Sequence, residues 1–300
     1  MHAYDKSCPG IWKRPLLHGL REDGWPWDWT TMAVADKNQN NISDNITAKI
    51  IAKSSGIWAG EGLFSAIELL PEEFSRGVVI KGVLSDGSVL SESMEIGRIE
   101  GPAKTILALE RPLLNLAAYA SGIATSTRKM VEIINNKYID NPPRICITRK
   151  TLPYYRDIAI QCAMIGGAFS HRLGLSGGVL IKENHVLIAG GVKEAIKKAR
   201  RISPHCLKVE AEVRSLSELR DALLEKPDAV LLDNFQPSEV HEAIVIIDGQ
   251  QHRPLIEVSG GINESNIEDY SIKGVDVISV GCLTHSVRSV DLSMLVGYVC

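Results

Sequence analysis

The residues of this 300-residue chain that could do chemistry stand at the ends of short apolar runs in its second half. Arg149 and Lys150 end "ICITRK", His171 and Arg172 form "SHR", and Lys182 ends "LIK". A lone Lys or Arg is usually a solvated surface group. A cluster of cations at successive run ends is a different pattern. Arg offers a planar fork to carboxylate or phosphate, and Lys a compact point charge. A ligand that calls for so much positive charge carries several negative groups.

Glu212 in "VEAEV" and Asp233 in "LLDN" supply the opposite sign. In strand geometry Glu210 and Glu212 share one face, and an acid that points inward needs a partner. Such acids coordinate Mg²⁺, directly or through water, or hold ribose hydroxyls; the bland alternative is an ion pair with a nearby Lys or Arg. "EVSGGI" and "ISVGCL" then end in small residues at Ser259, Gly260 and Gly281. Their backbone N–H groups suit a phosphate, as after the last strands of a (β/α) barrel, although glycines also simply permit tight turns. Two other chemistries fit less well. A metal site from His171 and His185 lacks a recognisable ligand spacing. A Schiff-base lysine at Lys150 or Lys182 is normally activated by an apolar pocket or one neighbouring cation, not by arginines.

The elements that must position these groups form a repeat. From Cys146 onward, "ICITRK", "GVLIKENH", "LKVEAEV", "AVLLDN", "LIEVSGG" and "VDVISVG" read as strands apolar from end to end, the mark of a parallel sheet covered on both faces. Helical patterns such as "GGVKEAIKKARRI", "SLSELRDALLEK" and "QPSEVHEAIVII" separate most of them. Chemistry at nearly every run end favours a barrel, with fewer than eight strands, over a doubly wound sheet. His171 and Arg172 are expected at the end of a helical segment, and "GLSGG" as a tight turn bringing them to Lys182. His185 reads as a structural residue just past its strand.

The first half is of another kind. "NITAKIIAKS", "GVVIKGVL" and "SVLSESMEI" read as strands, with Asp86-Gly87 as a hairpin turn. A helical stretch from Ala103 to Asn135 follows, interrupted at Pro112 and Gly122. The expected fold class is α/β: an incomplete (β/α) barrel after a smaller α+β domain, with the boundary between about 115 and 140.

Composition bounds the function. A net charge of −3 argues against a nucleic-acid surface but not against a local basic pocket. No apolar run reaches the roughly 20 residues of a membrane span, and the first residues lack a secretory pattern, so a cytoplasmic protein is expected. Six cysteines, at 8, 146, 162, 206, 282 and 300, show no zinc-type spacing. Those at 146, 162, 206 and 282 lie in or beside apolar runs and read as reduced, mostly buried thiols.

Together the motifs resemble the quinolinate phosphoribosyltransferase family. The resemblance rests on "LREDGWPWDWTT" (20–31), "LERPLLNLAAYASGIAT" (109–125), "TRKTLPYYR" (148–156) and "GGAFSHRLGLSGGVLIKENHVLIAGGV" (166–192), with "VEAEV", "LLDNF", "EVSGGI" and "VDVISVGCLTHS" after them in order. It implies a Mg²⁺-dependent reaction of quinolinate with phosphoribosyl pyrophosphate that yields nicotinate mononucleotide, pyrophosphate and CO₂. It also implies an N-terminal α/β sandwich and dimerisation domain over 1–125, joined by segment 288–300, around an incomplete barrel over 126–287, and a homodimer in which one subunit's N-terminal region closes the other's barrel mouth. Arg149, Lys150, His171, Arg172 and Lys182 would line the quinolinate pocket, with Arg111 reaching in from the partner subunit. Glu212 and Asp233 would hold ribose hydroxyls and Mg²⁺, and Ser259, Gly260 and Gly281 the 5′-phosphate. Lys150 and Lys182 would matter most to the chemistry. The chain departs from the family pattern at Ile147, Tyr154-Tyr155, Ile160 and Gly177, and Pro112 directly follows Arg111. The alternatives are a sister phosphoribosyltransferase acting on a different acceptor and a non-catalytic paralogue that binds phosphoribosyl ligands.

Overall fold

A computed structural model describes residues 8–34, 45–137 and 140–298, so Cys300 and the first seven residues lie outside the described residues. The chain divides into two compact units. The first comprises residues up to 126, 152–166 and 287 onward; the second comprises 127–151 and 167–286.

The first unit opens with helices α1 (Gly10–Glu22) and α2 (Trp29–Val34). Strand β1 (Asn45–Ala52) buries alternate residues, with Ile46, Ala48, Ile50 and Ala52 inside, as its period-two sequence demands. Then come β2 (Gly56–Ile57), α3 (Glu61–Ile67), α4 (Glu72–Ser75), β3 (Val79–Lys81), β4 (Val89–Leu90) and β5 (Glu95–Pro102). Asp86-Gly87 is a turn but not a hairpin, because β3 pairs with β5 in one sheet and β4 with β2 in another. Asp86 works as a cap instead. Its Oδ1 accepts the Gly60 and Glu61 N–H groups at 2.7 and 2.9 Å at the start of α3, while Glu61 Oε2 accepts the Asp86 N–H.

Helix α5 (Ala103–Lys137) runs for 35 residues without the expected interruptions. Its buried stripe of Ile106, Leu109, Leu113, Ala117, Ala120 and Ala124 carries the chain past Pro112. At Gly122 a side chain would stand 2.4 Å from the Arg288 carbonyl, so the glycine serves a close backbone crossing and not a helix end.

The second unit holds the repeat. Strands β6 (Arg144–Ile147), β7 (Phe169–Ser170), β8 (Val179–Ile181), β9 (Val209–Val213), β10 (Ala229–Asp233), β11 (Leu255–Ser259) and β12 (Val277–Val280) form one sheet of seven. Helix α6 (Arg156–Gly166), between β6 and β7, groups with the first unit. All six expected strands are present, and every described pairing is parallel. The spatial order is β7-β6-β12-β11-β10-β9-β8, so each strand neighbours the next in sequence except at β7 and β8. The result is a (β/α) barrel left open along one seam. Helices α7 (Glu183–Ala189), α8 (Val192–Ile202), α9 (Leu216–Leu223) and α10 (Pro237–Asp248) alternate with β8 to β11, followed by the short α11 (Ile267–Tyr270) and α12 (Cys282–His285). The chain returns to the first unit as β13 (Leu292–Tyr298), antiparallel to β1.

Among the departures from the family pattern, Ile147 is the last residue of β6 and the others lie outside the barrel strands. Ile147 and Ile160 are core residues, whereas Tyr155 packs edge-on to Tyr119 and Tyr154 lies under the Arg14 guanidinium. Among the described residues all cysteines are free thiols. Cys146 and Cys162 are buried as expected, but Cys206 is exposed because it follows α8 in a surface turn.

Candidate active site

Parallel register brings the strand ends to one edge and fixes which residues are neighbours. Asp233 lies beside Ser259, Ser259 beside Ser279, and Ser279 beside Cys146. One step deeper, Leu231 lies between Glu212 and Glu257. Residues two apart on a strand share a face, so these side chains line the concave side while Val230, Leu232, Val258 and Ile278 fill the outer core.

The concave side holds a cavity of about 230 Å³. Of the eleven residues expected at the site, eight line it. Arg149, Lys150, His171, Arg172 and Lys182 form one group, and Glu212, Asp233 and Ser259 the other. Gly260 and Gly281 follow strand ends β11 and β12 directly. Arg111 sits exposed on α5 in the other unit and does not line this cavity. His171 and Arg172 are placed by β7, a two-residue strand, and not by a helix. Helix α6 stops at Gly166 and Gly167 takes φ +106°, which turns the chain into that strand.

The cations differ in how they are held. Arg172 donates from Nη1 to the Gly178 carbonyl at 3.1 Å, across the expected turn, which contains a 3₁₀ turn at Leu175–Gly177. Burial, and then the charge of Arg149, lower the Arg172 pKa. The Nε–H groups of Arg149 and Arg172 are both buried without an acceptor among the described residues. A buried donor in that condition costs about 1–3 kcal/mol until something accepts from it. Lys150 runs past Gly281, whose missing side chain leaves room for the Lys150 stem. Thr284 Oγ1 donates to the Lys150 carbonyl at 2.8 Å and so ties tip β6 to tip β12.

The acids fall into two sets. Glu212 Oε2 lies 2.5 Å from Lys182 Nζ, and its Oε1 accepts the Glu183 N–H at 3.3 Å. The ion-pair alternative for Glu212 is therefore present in the structure. Asp233 has its pKa raised by burial and then by the Glu212 charge. Two hard carboxylates at one cavity, one of them raised by the charge of the other, fit a divalent cation such as Mg²⁺.

The deeper set was missed in part. Glu257 and Glu210, at 4% and 9% exposure, both face His171. Its Nε2 is 3.2 Å from Glu210 Oε2 and 3.3 Å from Glu257 Oε2, and these carboxylates push the imidazole pKa up to about 10. The Arg172 N–H points at Nδ1 from 2.8 Å, a bond only a neutral ring accepts. The negative charge of two buried carboxylates beside Nε2 favours the protonated ring against that one amide contact. The Ser279 hydroxyl donates to Glu257 Oε1 at 2.5 Å, which with His171 keeps Glu257 the more acidic of the two, while burial raises Glu210. A charged residue in the middle of "LIEVS" was the available signal for Glu257, since such a group is buried only with a partner.

His185 plays no part in a metal pair with His171. Its Nδ1 accepts the Lys182 N–H at 2.9 Å and caps α7, the structural role expected of it. Neither Lys182, held by Glu212, nor Lys150, near Arg149, has the apolar setting of an imine-forming lysine.

A (β/α) barrel with cations and two acids around one cavity at its strand ends is the apparatus of an enzyme acting on a small polyanion. Residues 28–121 match the quinolinate phosphoribosyl transferase N-terminal domain and residues 123–295 the C-terminal domain, and the chain belongs to that family. A probable nicotinate-nucleotide pyrophosphorylase (carboxylating) of Methanocaldococcus jannaschii is 46% identical, over 73% of this chain and 77% of that one. The human nicotinate-nucleotide pyrophosphorylase (carboxylating) is 37% identical, over 82% and 81%. The nicotinate-nucleotide pyrophosphorylase structure from Francisella tularensis superposes with a TM-score of 0.83 at 33% identity, covering 96% and 97%.

Proposed function

We propose that the chain joins quinolinate to phosphoribosyl pyrophosphate, in a step of NAD biosynthesis, and releases pyrophosphate and CO₂ to leave nicotinate mononucleotide. The observation that carries this reading is the pair of buried, unpartnered guanidinium Nε–H groups of Arg149 and Arg172 beside Lys150, in a cavity that also presents Glu212 and Asp233. A dicarboxylate ring satisfies the first group, and a phosphorylated sugar with its cation satisfies the second. Family membership and the names of the relatives point the same way.

In this reading Arg149, Lys150, His171, Arg172 and Lys182 receive the two carboxylates of quinolinate. The arginines hold them by forked hydrogen bonds, and the imidazolium of His171 adds positive charge from below. Ser259, Gly260 and Gly281 receive the 5′-phosphate on backbone N–H groups, with Glu212 and Asp233 at the ribose. Mg²⁺ held by Glu212 and Asp233, directly or through water, would offset the charge of the pyrophosphate leaving group. The two walls hold the pyridine nitrogen in line with C1 of the ribose, and positioning of this kind supplies much of the rate. The C1–O bond to pyrophosphate breaks as the N–C1 bond forms. The adjacent carboxylate then leaves as CO₂, its electron pair stabilised by the ring nitrogen, now positive, until a proton replaces it. Lys150 and Lys182 matter most here, because they must hold that carboxylate without arresting its departure.

The reading includes a cytoplasmic homodimer in which the partner subunit supplies Arg111. The exposure of Arg111 on α5 supports this. Quinolinate, nicotinate or no acceptor is offered in turn with phosphoribosyl pyrophosphate and Mg²⁺, and CO₂ and pyrophosphate are followed. Both products are expected with quinolinate alone; turnover of nicotinate but not quinolinate sinks the reading. Mixing Arg111→Ala with Lys150→Ala subunits is expected to restore activity that neither variant has alone.

A further inference from the structure

Asn234 has so far no task, yet it touches both proposed ligand-binding tips. Its φ is +58°, in the left-handed region that asparagine occupies at little cost. That conformation aims three of its groups. The backbone N–H donates to the Ser259 carbonyl at 2.8 Å. The side-chain Nδ2 donates to Asp233 Oδ2, also at 2.8 Å. Its Oδ1 fills the space over Gly260, where a Cβ would lie 2.2 Å from that oxygen and 2.8 Å from the Asn234 backbone nitrogen. A left-handed residue after a strand often does no more than turn the chain. Here the main chain holds tip β11, the side chain holds the Asp233 carboxylate, and the fit leaves Gly260 no room for a side chain.

Resting on the function proposed above, we infer that Asn234 is a positioning residue that sets the Asp233 carboxylate against the Ser259-Gly260 backbone. The ribose end and the 5′-phosphate end of phosphoribosyl pyrophosphate are thereby gripped at one fixed spacing. The dicarboxylate acceptor, held by Arg149 and Arg172, does not depend on it. Loss of a hydrogen bond that orients a ligating carboxylate typically costs about 10- to 100-fold in affinity or activity.

The test uses Asn234→Gly, which keeps the left-handed turn and deletes the amide, and Asn234→Asp, which puts an acceptor where Asp233 needs a donor. KM is measured for each substrate separately, and the affinity for phosphoribosyl pyrophosphate with Mg²⁺ is measured by calorimetry without acceptor. In Asn234→Gly the KM and Kd for phosphoribosyl pyrophosphate are expected to rise about 10- to 100-fold, and further in Asn234→Asp, with the quinolinate KM within about twofold of wild type. Unchanged affinity for phosphoribosyl pyrophosphate overturns the inference, and so does an equal rise in both KM values. If the wild-type chain fails to turn over quinolinate, the function above is what has failed. The calorimetric comparison still decides Asn234: weaker binding supports its role, and unchanged binding removes it.

Discussion

Glu210 and Glu212 stand two residues apart on one strand, share its face and are almost equally buried, at 9% and 8% exposure. Only their partners differ. Glu210 meets His171, whose side chain is 18% exposed and which Glu257 also engages. Glu212 meets Lys182, whose side chain is 49% exposed and ends in the open cavity. A partner locked on several sides makes an acid part of the frame. A partner with a free path to solvent leaves the acid available to a ligand. Burial of a carboxylate alone therefore does not tell support from chemistry; the exposure of what neutralises it does.

The sharpest way to break this comparison is to remove each partner. His171→Ala leaves two buried carboxylates without a cation and is expected to cost about 3–5 kcal/mol in urea unfolding. Lys182→Ala is expected to cost about 1 kcal/mol or less, because water from the cavity replaces the ammonium, while turnover falls. Equal losses of stability would erase the distinction. Next in size, Arg172→Ala and Lys150→Ala are expected to weaken quinolinate binding about 100-fold with the fold retained, as for loss of one member of a buried charged contact. Calorimetry that finds wild-type affinity would show that the cation wall is misplaced.

A smaller effect follows from pH. The His171 pKa is raised from 6.5 to about 10, so protonation favours the folded chain. That contribution is complete below about pH 6.5 and is lost as pH rises through 10. The stability gap between wild type and His171→Gln should accordingly narrow across this window. A gap constant with pH would mean a neutral ring throughout. Smallest of all is a labelling difference. Burial pushes the Cys146 thiol up to about 12 and Cys162 well above its ordinary range, so a maleimide at pH 7.5 (about one unit below the ordinary thiol value) should modify exposed Cys206 and spare both.

The sequence disclosed the barrel because strands covered on both faces leave an unbroken apolar signature, as in "AVLLD" and "VISV". It hid β7 because two residues carry no periodicity. Pro112 and Gly122 suggested helix ends that packing overrode, since the apolar stripe of α5 continues across both. The charged rim was legible because cations at successive strand ends need a common reason. The layer beneath it was not, because Glu257 and Ser279 acquire meaning only when parallel register sets their strands side by side. Asn234 escaped for a related reason, as its task depends on a left-handed turn and on a glycine 26 positions later.

Pairing order has a consequence for the making of this chain. Strand β12 closes the barrel against β6, joining Ile278 to Ile145, and β13 completes the first sheet against β1, joining Tyr298 to Ile46. Both sheets thus wait for strands that follow residue 276. A ribosome that has read as far as Tyr270 has made neither the strand that fits between β6 and β11 nor the one that pairs with β1, so one edge of each of those three strands is still unpaired. The chain therefore presents open strand edges for aggregation until β12 and β13 emerge, and a stop codon anywhere upstream of β12 removes a strand from both units at once.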